Sequence, residues 1–233
     1  MTEGTVHNKD SFLNKISNNL GRERKEQLVL PKWQHRPQLE VFKDAASNEL
    51  VTAFRNNSLE KTTYVVDTEA AKLAETLQEV MEKYGGGPVV ATKDPRFSEY
   101  GIDSLLTGEG VHVWDAALGK ENIEIAKKAN IGIFFSDISL AESGTVVQFN
   151  DKDIARSISL LPIAYVAIVP KSTIVPRMTQ AAQAVHKLVQ DGKEIPTCIN
   201  FISGPSNSAD IEMDIVIGVH GPVEAVHIIV SDR

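Results

Sequence analysis

The sequence predicts an α/β protein with a largely parallel sheet flanked by helices and an N-terminal helical extension. Three observations carry this prediction. From Thr62 onward, short runs rich in Val, Ile and Phe alternate with segments of helical periodicity, the pattern of repeated βα units. Residues 163–169 (IAYVAIV) are apolar without alternation, as expected of a strand covered on both faces. Before residue 62 the texture differs, with amphipathic stretches joined by a proline-bearing segment.

Residues 10–20 place Phe12, Leu13, Ile16 and Leu20 at helical spacing, and Gly21 can end that helix. Residues 28–37 hold Pro31 and Pro37 amid mixed polarity, which reads as a linker or an arm laid over a surface. Residues 1–37 are therefore set apart from an α/β domain over 38–233. Residues 41–54 predict a second amphipathic helix on Val41, Phe42, Ala45, Leu50 and Phe54. A strand follows at 62–66. Asp67 then caps a helix with Ala70, Leu73, Ala74, Leu77, Val80 and Met81 on one face. Tyr84-Gly85-Gly86-Gly87-Pro88 stops that helix. Further strands are expected at 89–91, 111–114, 131–135, 145–149, 163–169, 197–202 and 225–230, with helices at 120–129 and 177–188.

A chain of 233 residues can bury a large core without covalent staples. Cys198 is the single cysteine. It excludes an internal disulfide and any self-contained iron–sulfur or Cys-type zinc site. Its apolar surroundings suggest a small buried hydrophobe. The first seven residues are polar and lack a signal-peptide core. The longest apolar run, 158–169, is interrupted by Ser159 and Pro162 and falls short of the ~20 residues that span a bilayer. A cytoplasmic protein without a membrane span is expected. Net charge is −7 and the isoelectric point about 5.4. The densest basic clusters are short, so a nucleic-acid partner is not expected.

Several clusters carry potential chemistry. Gly85-Gly86-Gly87 has neither the Lys-Ser/Thr of a P-loop nor a dinucleotide fingerprint. It lies after a helix and reads as a helix stop. In Glu142-Ser143-Gly144-Thr145 a carboxylate, as base or nucleophile, stands beside two hydroxyls and a glycine that lets backbone approach a ligand. A polar β-turn explains the same residues equally well. Arg156 can grip a carboxylate or phosphate in a bidentate fork, or pair with Asp153 at i,i+3.

The stretch Ser203-Gly204-Pro205-Ser206-Asn207-Ser208 leaves a strand with more polar groups than a turn needs. Ser208 followed by Asp210 and Glu212 suits a helix N-terminus; the alternative makes 213–218 a strand. Ser203, Ser206 and Asn207 remain over, and loop amides there can cradle an anion. His220, between Gly218 and Gly221-Pro222, sits in a stiff turn. A Ser206–His220 pair is disfavoured, because a ten-residue helix between them spans about 15 Å. His227 reads as a sheet residue, and no metal-ligand spacing is present.

Together, Ala141-Glu142-Ser143-Gly144-Thr145, Ser159-Leu160-Leu161-Pro162, Ser203-Gly204-Pro205-Ser206 with Ala209-Asp210-Ile211-Glu212, and Gly218-Val219-His220-Gly221-Pro222 resemble the lactate-utilization (LUD-domain) family. Asn207 departs from the pattern, since relatives often carry arginine there. The resemblance implies a fold similar to the ribose-phosphate isomerase and CoA-transferase superfamily. It implies a component of L-lactate oxidation to pyruvate, acting beside iron–sulfur partner proteins and holding no cofactor of its own. The expected catalytic candidates are Glu142 and His220. The expected binding residues for a small carboxylate or phosphate are Ser143, Gly144, Thr145, Arg156, Gly204, Ser206, Asn207, Asp210 and Glu212. Two alternatives stand beside this reading: a stand-alone CoA-transferase-like or small-carboxylate enzyme using Glu142, and a non-catalytic adaptor with Trp33 as a contact.

Overall fold

The computed structural model describes residues 6–24, 29, 31–211 and 214–233. The chain divides into two compact units, Met1–Arg36 and Pro37–Arg233. The first unit holds helix α1 (Lys9–Asn19), close to the expected 10–20. None of its residues is buried, and Phe12, Ile16 and Leu20 are exposed. Arg24 Nη1 donates to Asp10 Oδ1 at 2.7 Å. Trp33 is 70% exposed, so it is not covered by this unit.

The second unit begins with α2 (Ser47–Glu60), β1 (Tyr64–Thr68), α3 (Leu73–Lys83), β2 (Val89–Ala91), α4 (Arg96–Glu99), α5 (Asp103–Leu106), β3 (Val111–Val113) and α6 (Glu121–Ala126). It continues with β4 (Ile131–Phe135), β5 (Ile138–Leu140), β6 (Thr145–Asn150), α7 (Ser157–Leu160), β7 (Ala164–Pro170) and β8 (Ile174–Val175). Helix α8 (Met178–Gln190), β9 (Cys198–Ile202), β10 (Asn207–Ile211), β11 (Asp214–Ile217) and β12 (Glu224–Val230) complete it.

Six strands form one parallel sheet in the order β1-β12-β7-β4-β2-β3. The expected α/β architecture is present. The central strand β7 is buried at all seven positions, which is why its sequence shows no alternation. One face of the sheet packs Ile131, Ile133, Phe135, Val166, Ile168, Val226 and Ile228 against Leu73, Leu77 and Val80 of α3 and against Phe97 and Ile102. The other packs Phe134, Tyr165, Ala167 and Ile229 against Leu50 and Phe54 of α2.

On this second face lies a four-stranded sheet in the order β8-β5-β6-β9, with Ala141, Val146, Ile174 and Ile202 joining the α2 core. Strands β5 and β8 were outside the sequence expectation. A partly buried charge cluster ties the end of β2 to the end of β4. Arg96 Nη2 donates to Asp94 Oδ2 at 2.6 Å and to Asp137 Oδ1 at 2.8 Å, and Nη1 reaches the Ser136 carbonyl.

Three local expectations are corrected. Helix α2 starts six residues later than expected. Phe42 takes a left-handed φ of 56°, and the Glu49 carboxylate accepts from the Ala46 N–H at 2.8 Å, capping the helix there. The stretch after Ser206 is no helix: β10 and β11 pair antiparallel, so the strand alternative holds. Cys198 is half-buried on β9 rather than in the core.

Candidate functional site

Helix α2 organises the polar loops. Its last turn meets the 141–145 turn, where Asn57 Nδ2 donates to the Ala141 carbonyl at 2.8 Å and Lys61 Nζ to the Ser143 carbonyl at 2.8 Å. Gly144 has φ +57°, and a methyl there would lie 2.5 Å from the Ser58 backbone nitrogen. The close approach this glycine permits is therefore to α2, not to a ligand. Gly204 plays the same part for the second loop: with φ +73°, a methyl would lie 2.7 Å from the Lys61 carbonyl oxygen.

The two loops share a chain of hydroxyls. Ser143 Oγ and Thr145 Oγ1 are 2.7 Å apart, and Thr145 Oγ1 donates to Ser203 Oγ at 3.1 Å. Much of the polar surplus in these motifs is thus used between the loops. Beneath them, His227 Nδ1 lies 3.1 Å from Ser58 Oγ and Nε2 3.2 Å from the Tyr165 hydroxyl. Phe54 stacks on its ring. Full burial pushes the imidazole down to about 3, so it stays neutral at physiological pH. His227 is the sheet residue expected, and a structural one.

Glu142 points the other way. Arg177 Nη2 donates to its Oε1 at 2.8 Å and Arg177 Nε to its Oε2 at 2.7 Å. Both carboxylate oxygens are gripped by one fork, the strong bidentate geometry. The Glu142 side chain is 40% exposed, so the pair lies at the surface. From sequence Arg177 marks only a helix start; its partner is 35 positions away, and no local signal joins them.

The β10–β11 hairpin reverses the chain and brings the last two motifs together. Ser206 N–H donates to the Pro222 carbonyl and Gly218 N–H to the Ser206 carbonyl, both at 2.8 Å. A methyl on Gly221 would sit 3.1 Å from Ser206 Cβ and 3.6 Å from the Leu160 carbonyl oxygen. The helical span that argued against a Ser206–His220 pair does not exist. Even so, among the described residues no hydrogen bond joins those side chains, and His220 is exposed. Asn207 is exposed, with Nδ2 donating to the Pro205 carbonyl at 3.3 Å. Asp210 lies on β10, but its side chain and all of Glu212 lie outside the described residues.

Arg156 caps α7 and is exposed. Among the described residues it forms no ion pair, with Asp153 or otherwise. Beside it, Ser159 Oγ lies 3.0 Å from the Arg156 carbonyl oxygen and 2.9 Å from Gln148 Oε1, and its one proton is shared between these two acceptors. Gln148, Asn150 and Asn200, polar residues inside otherwise apolar strands, were not singled out from sequence.

These positions fall within a region, residues 48–230, that matches the family model of the LUD domain. The chain belongs to the LUD-domain family. It is 52% identical to lactate utilization protein C of Bacillus subtilis (strain 168), with all of both chains covered. It is similarly 52% identical to the protein of that name from Geobacillus sp. (strain WCH70) and 51% to that of Macrococcus caseolyticus, again over both full lengths. Among solved structures it resembles a DUF162 family protein from Deinococcus radiodurans, with TM-score 0.57 and 20% identity over 80% of this chain and 99% of that one. That likeness supports the α/β fold alone. Within this LUD domain the four motifs lie on connected loops: the 141–145 turn touches 203–204 across the end of α2, and the hairpin base touches α7. No described helix is long and apolar enough to cross a membrane.

Proposed function

We propose that this LUD-domain protein is a cytoplasmic component of an L-lactate-oxidising system. It acts with iron–sulfur partner proteins in converting L-lactate to pyruvate and carries no redox centre of its own. The observation that carries this reading is identity of about half, end to end, with several proteins named lactate utilization protein C. The single cysteine supports it, since an iron–sulfur cluster takes several thiolates.

Oxidation of lactate releases two electrons and two protons. In this reading the partners take the electrons, and this chain supplies binding surface or positions a small carboxylate. Ser143, Thr145, Arg156, Ser206, Asn207 and Asp210 are the groups proposed to serve that contact. His220 is exposed and lies two residues from both Gly218 and Pro222 at the hairpin base.

The stand-alone alternative, with Glu142 as nucleophile, has to release that carboxylate from Arg177 first. Glu142→Gln with unchanged activity removes it.

The test is L-lactate-dependent dye reduction by the two iron–sulfur partners, with and without this chain. Loss of reduction in its absence is the expected result. Complete activity without it refutes the component role.

A further inference from the structure

Strand β6 carries Val146, Gln148 and Asn150 on one face. Its partner β9 places Ile202 opposite Val146, Asn200 opposite Gln148, and Cys198 opposite Asn150. Val146 and Ile202 belong to the core under α2, so the three amides continue this inward face. Paired side chains across an antiparallel ladder lie about 5 Å apart, and positions i and i+2 about 7 Å. The three amides are therefore neighbours.

Each amide makes one bond and leaves one atom unused. Gln148 Oε1 accepts from Ser159 Oγ at 2.9 Å, leaving Nε2. Asn150 Nδ2 donates to the Ile154 carbonyl at 3.0 Å, which fixes its orientation and leaves Oδ1. Asn200 Oδ1 accepts from Cys198 Sγ at 3.4 Å, leaving Nδ2. All three leftover atoms are shielded from solvent, and Gln148 and Asn150 are 0% and 4% exposed. Buried polar atoms nearly always have partners. Three of the five unpartnered side-chain atoms among the described residues fall in this one patch, which sets it apart from scattered packing faults.

We propose that Gln148, Asn150 and Asn200 form a subsite for a small 2-hydroxycarboxylate. Two amide N–H donors suit carboxylate oxygens, and the Asn150 carbonyl oxygen suits the neighbouring hydroxyl as donor. Arg156, exposed and without an ion pair among the described residues, stands at the start of the short helix that carries Ser159. Strand β9 is an edge of the four-stranded sheet, and its Cys198 and Asn200 are half-buried.

The ligand class rests on the lactate reading above, and the test separates the two. Sodium L-lactate, pyruvate and acetate are titrated into the full chain by calorimetry. Saturable L-lactate binding is expected, at least about tenfold tighter than pyruvate, which has no hydroxyl for Asn150 and leaves that buried acceptor unpaired. Gln148→Glu, nearly isosteric, puts an acceptor where a donor is needed and weakens L-lactate at least about tenfold. Asn200→Ala, at the half-buried edge, does the same if Gln148→Glu fails to fold.

Absence of saturable L-lactate binding to the folded wild-type chain overturns the subsite; so does binding untouched by the variants, and the amides then hold water only. A chain that is needed for lactate oxidation but binds no lactate loses the subsite and keeps the component role. A chain that binds lactate but is dispensable for its oxidation does the reverse.

Discussion

Gly144 is the residue on which the 141–145 turn depends. Its φ of +57° already disfavours a side chain, and the atom a methyl would strike is backbone of α2 at 2.5 Å, which cannot swing away. Gly101 is the natural control, with φ +67° and open space around it. Gly101→Ala is expected to cost about 1 kcal/mol for the left-handed backbone alone. Gly144→Ala is expected to cost about 3 kcal/mol or more, because overpacking adds to it. Equal shifts in denaturant midpoint would show that the turn does not press on the helix. Arg96 has a comparable role among charges: Arg96→Met strands Asp94, whose side chain is 2% exposed, and Asp137. A loss of about 3–5 kcal/mol is expected by the same measurement. His227 gives a pH signature. Its folded value, near 3, lies below the unfolded ~6.5. The unfolded chain therefore binds the extra proton, and stability present above pH 6.5 falls as pH drops toward 3. The slope contributed is up to about 1.4 kcal/mol per pH unit. Between pH 7 and 5, a folded His227→Gln protein should show a flatter stability profile than wild type.

Elements differ in how far their own sequence decides them. The hairpin β10–β11 was ambiguous because Ser208 followed by acids reads as a helix cap, whereas the β-branched run Ile215-Val216-Ile217 reads as strand. Pairing with β10 and closure at the base through Ser206, Gly218 and Pro222 decide for strand. Such contacts lie outside any local window. Ile215 remains 75% exposed, and a two-stranded ribbon with so little burial is marginal. Hydrogen exchange should reflect this difference. Amides of β10–β11 should exchange through local opening, well ahead of those of β7 and β12, which pair on both sides and are almost wholly buried. Equal protection in the two regions would mean that the hairpin is held by more than its base.

Across the whole molecule, the parallel sheet was legible because buried strands and amphipathic helices write their periods directly into the chain. Strands β2, β4, β7 and β12 fall close to where apolar runs put them, and so does the end of helix α3, whereas Asp67, the expected cap of that helix, lies in β1. The small sheet was only half legible: β5 and β8 are short, and their pairing with each other joins residues about 35 positions apart. The candidate site divides in the same way. Its motifs were visible as polar clusters, but their contacts with Asn57, Lys61 and Arg177 arise only in three dimensions. One clue to it does stand in the sequence. Gln148 interrupts a strand whose neighbours are buried on both faces, and an amide in that setting has to be explained by a partner. The division of the chain makes the last prediction. Every buried hydrophobic residue among those described lies between Leu50 and Val230, so the core of residues 37–233 is complete without the first unit. Removal of residues 1–36 should leave the unfolding free energy of the remainder within about 1 kcal/mol, the scale of surface changes rather than core loss. A loss of several kcal/mol would show that the first unit is part of the same cooperative structure. The truncated protein also bears on function. With Phe12, Ile16, Leu20 and Trp33 exposed, the first unit carries the kind of apolar and aromatic surface that partners anchor on. If it is a docking arm, the truncated chain should fold normally yet fail to support lactate-dependent dye reduction by the proposed iron–sulfur partners. If reduction is undiminished, the first unit is not the docking arm, and the proposed contact falls to the LUD domain.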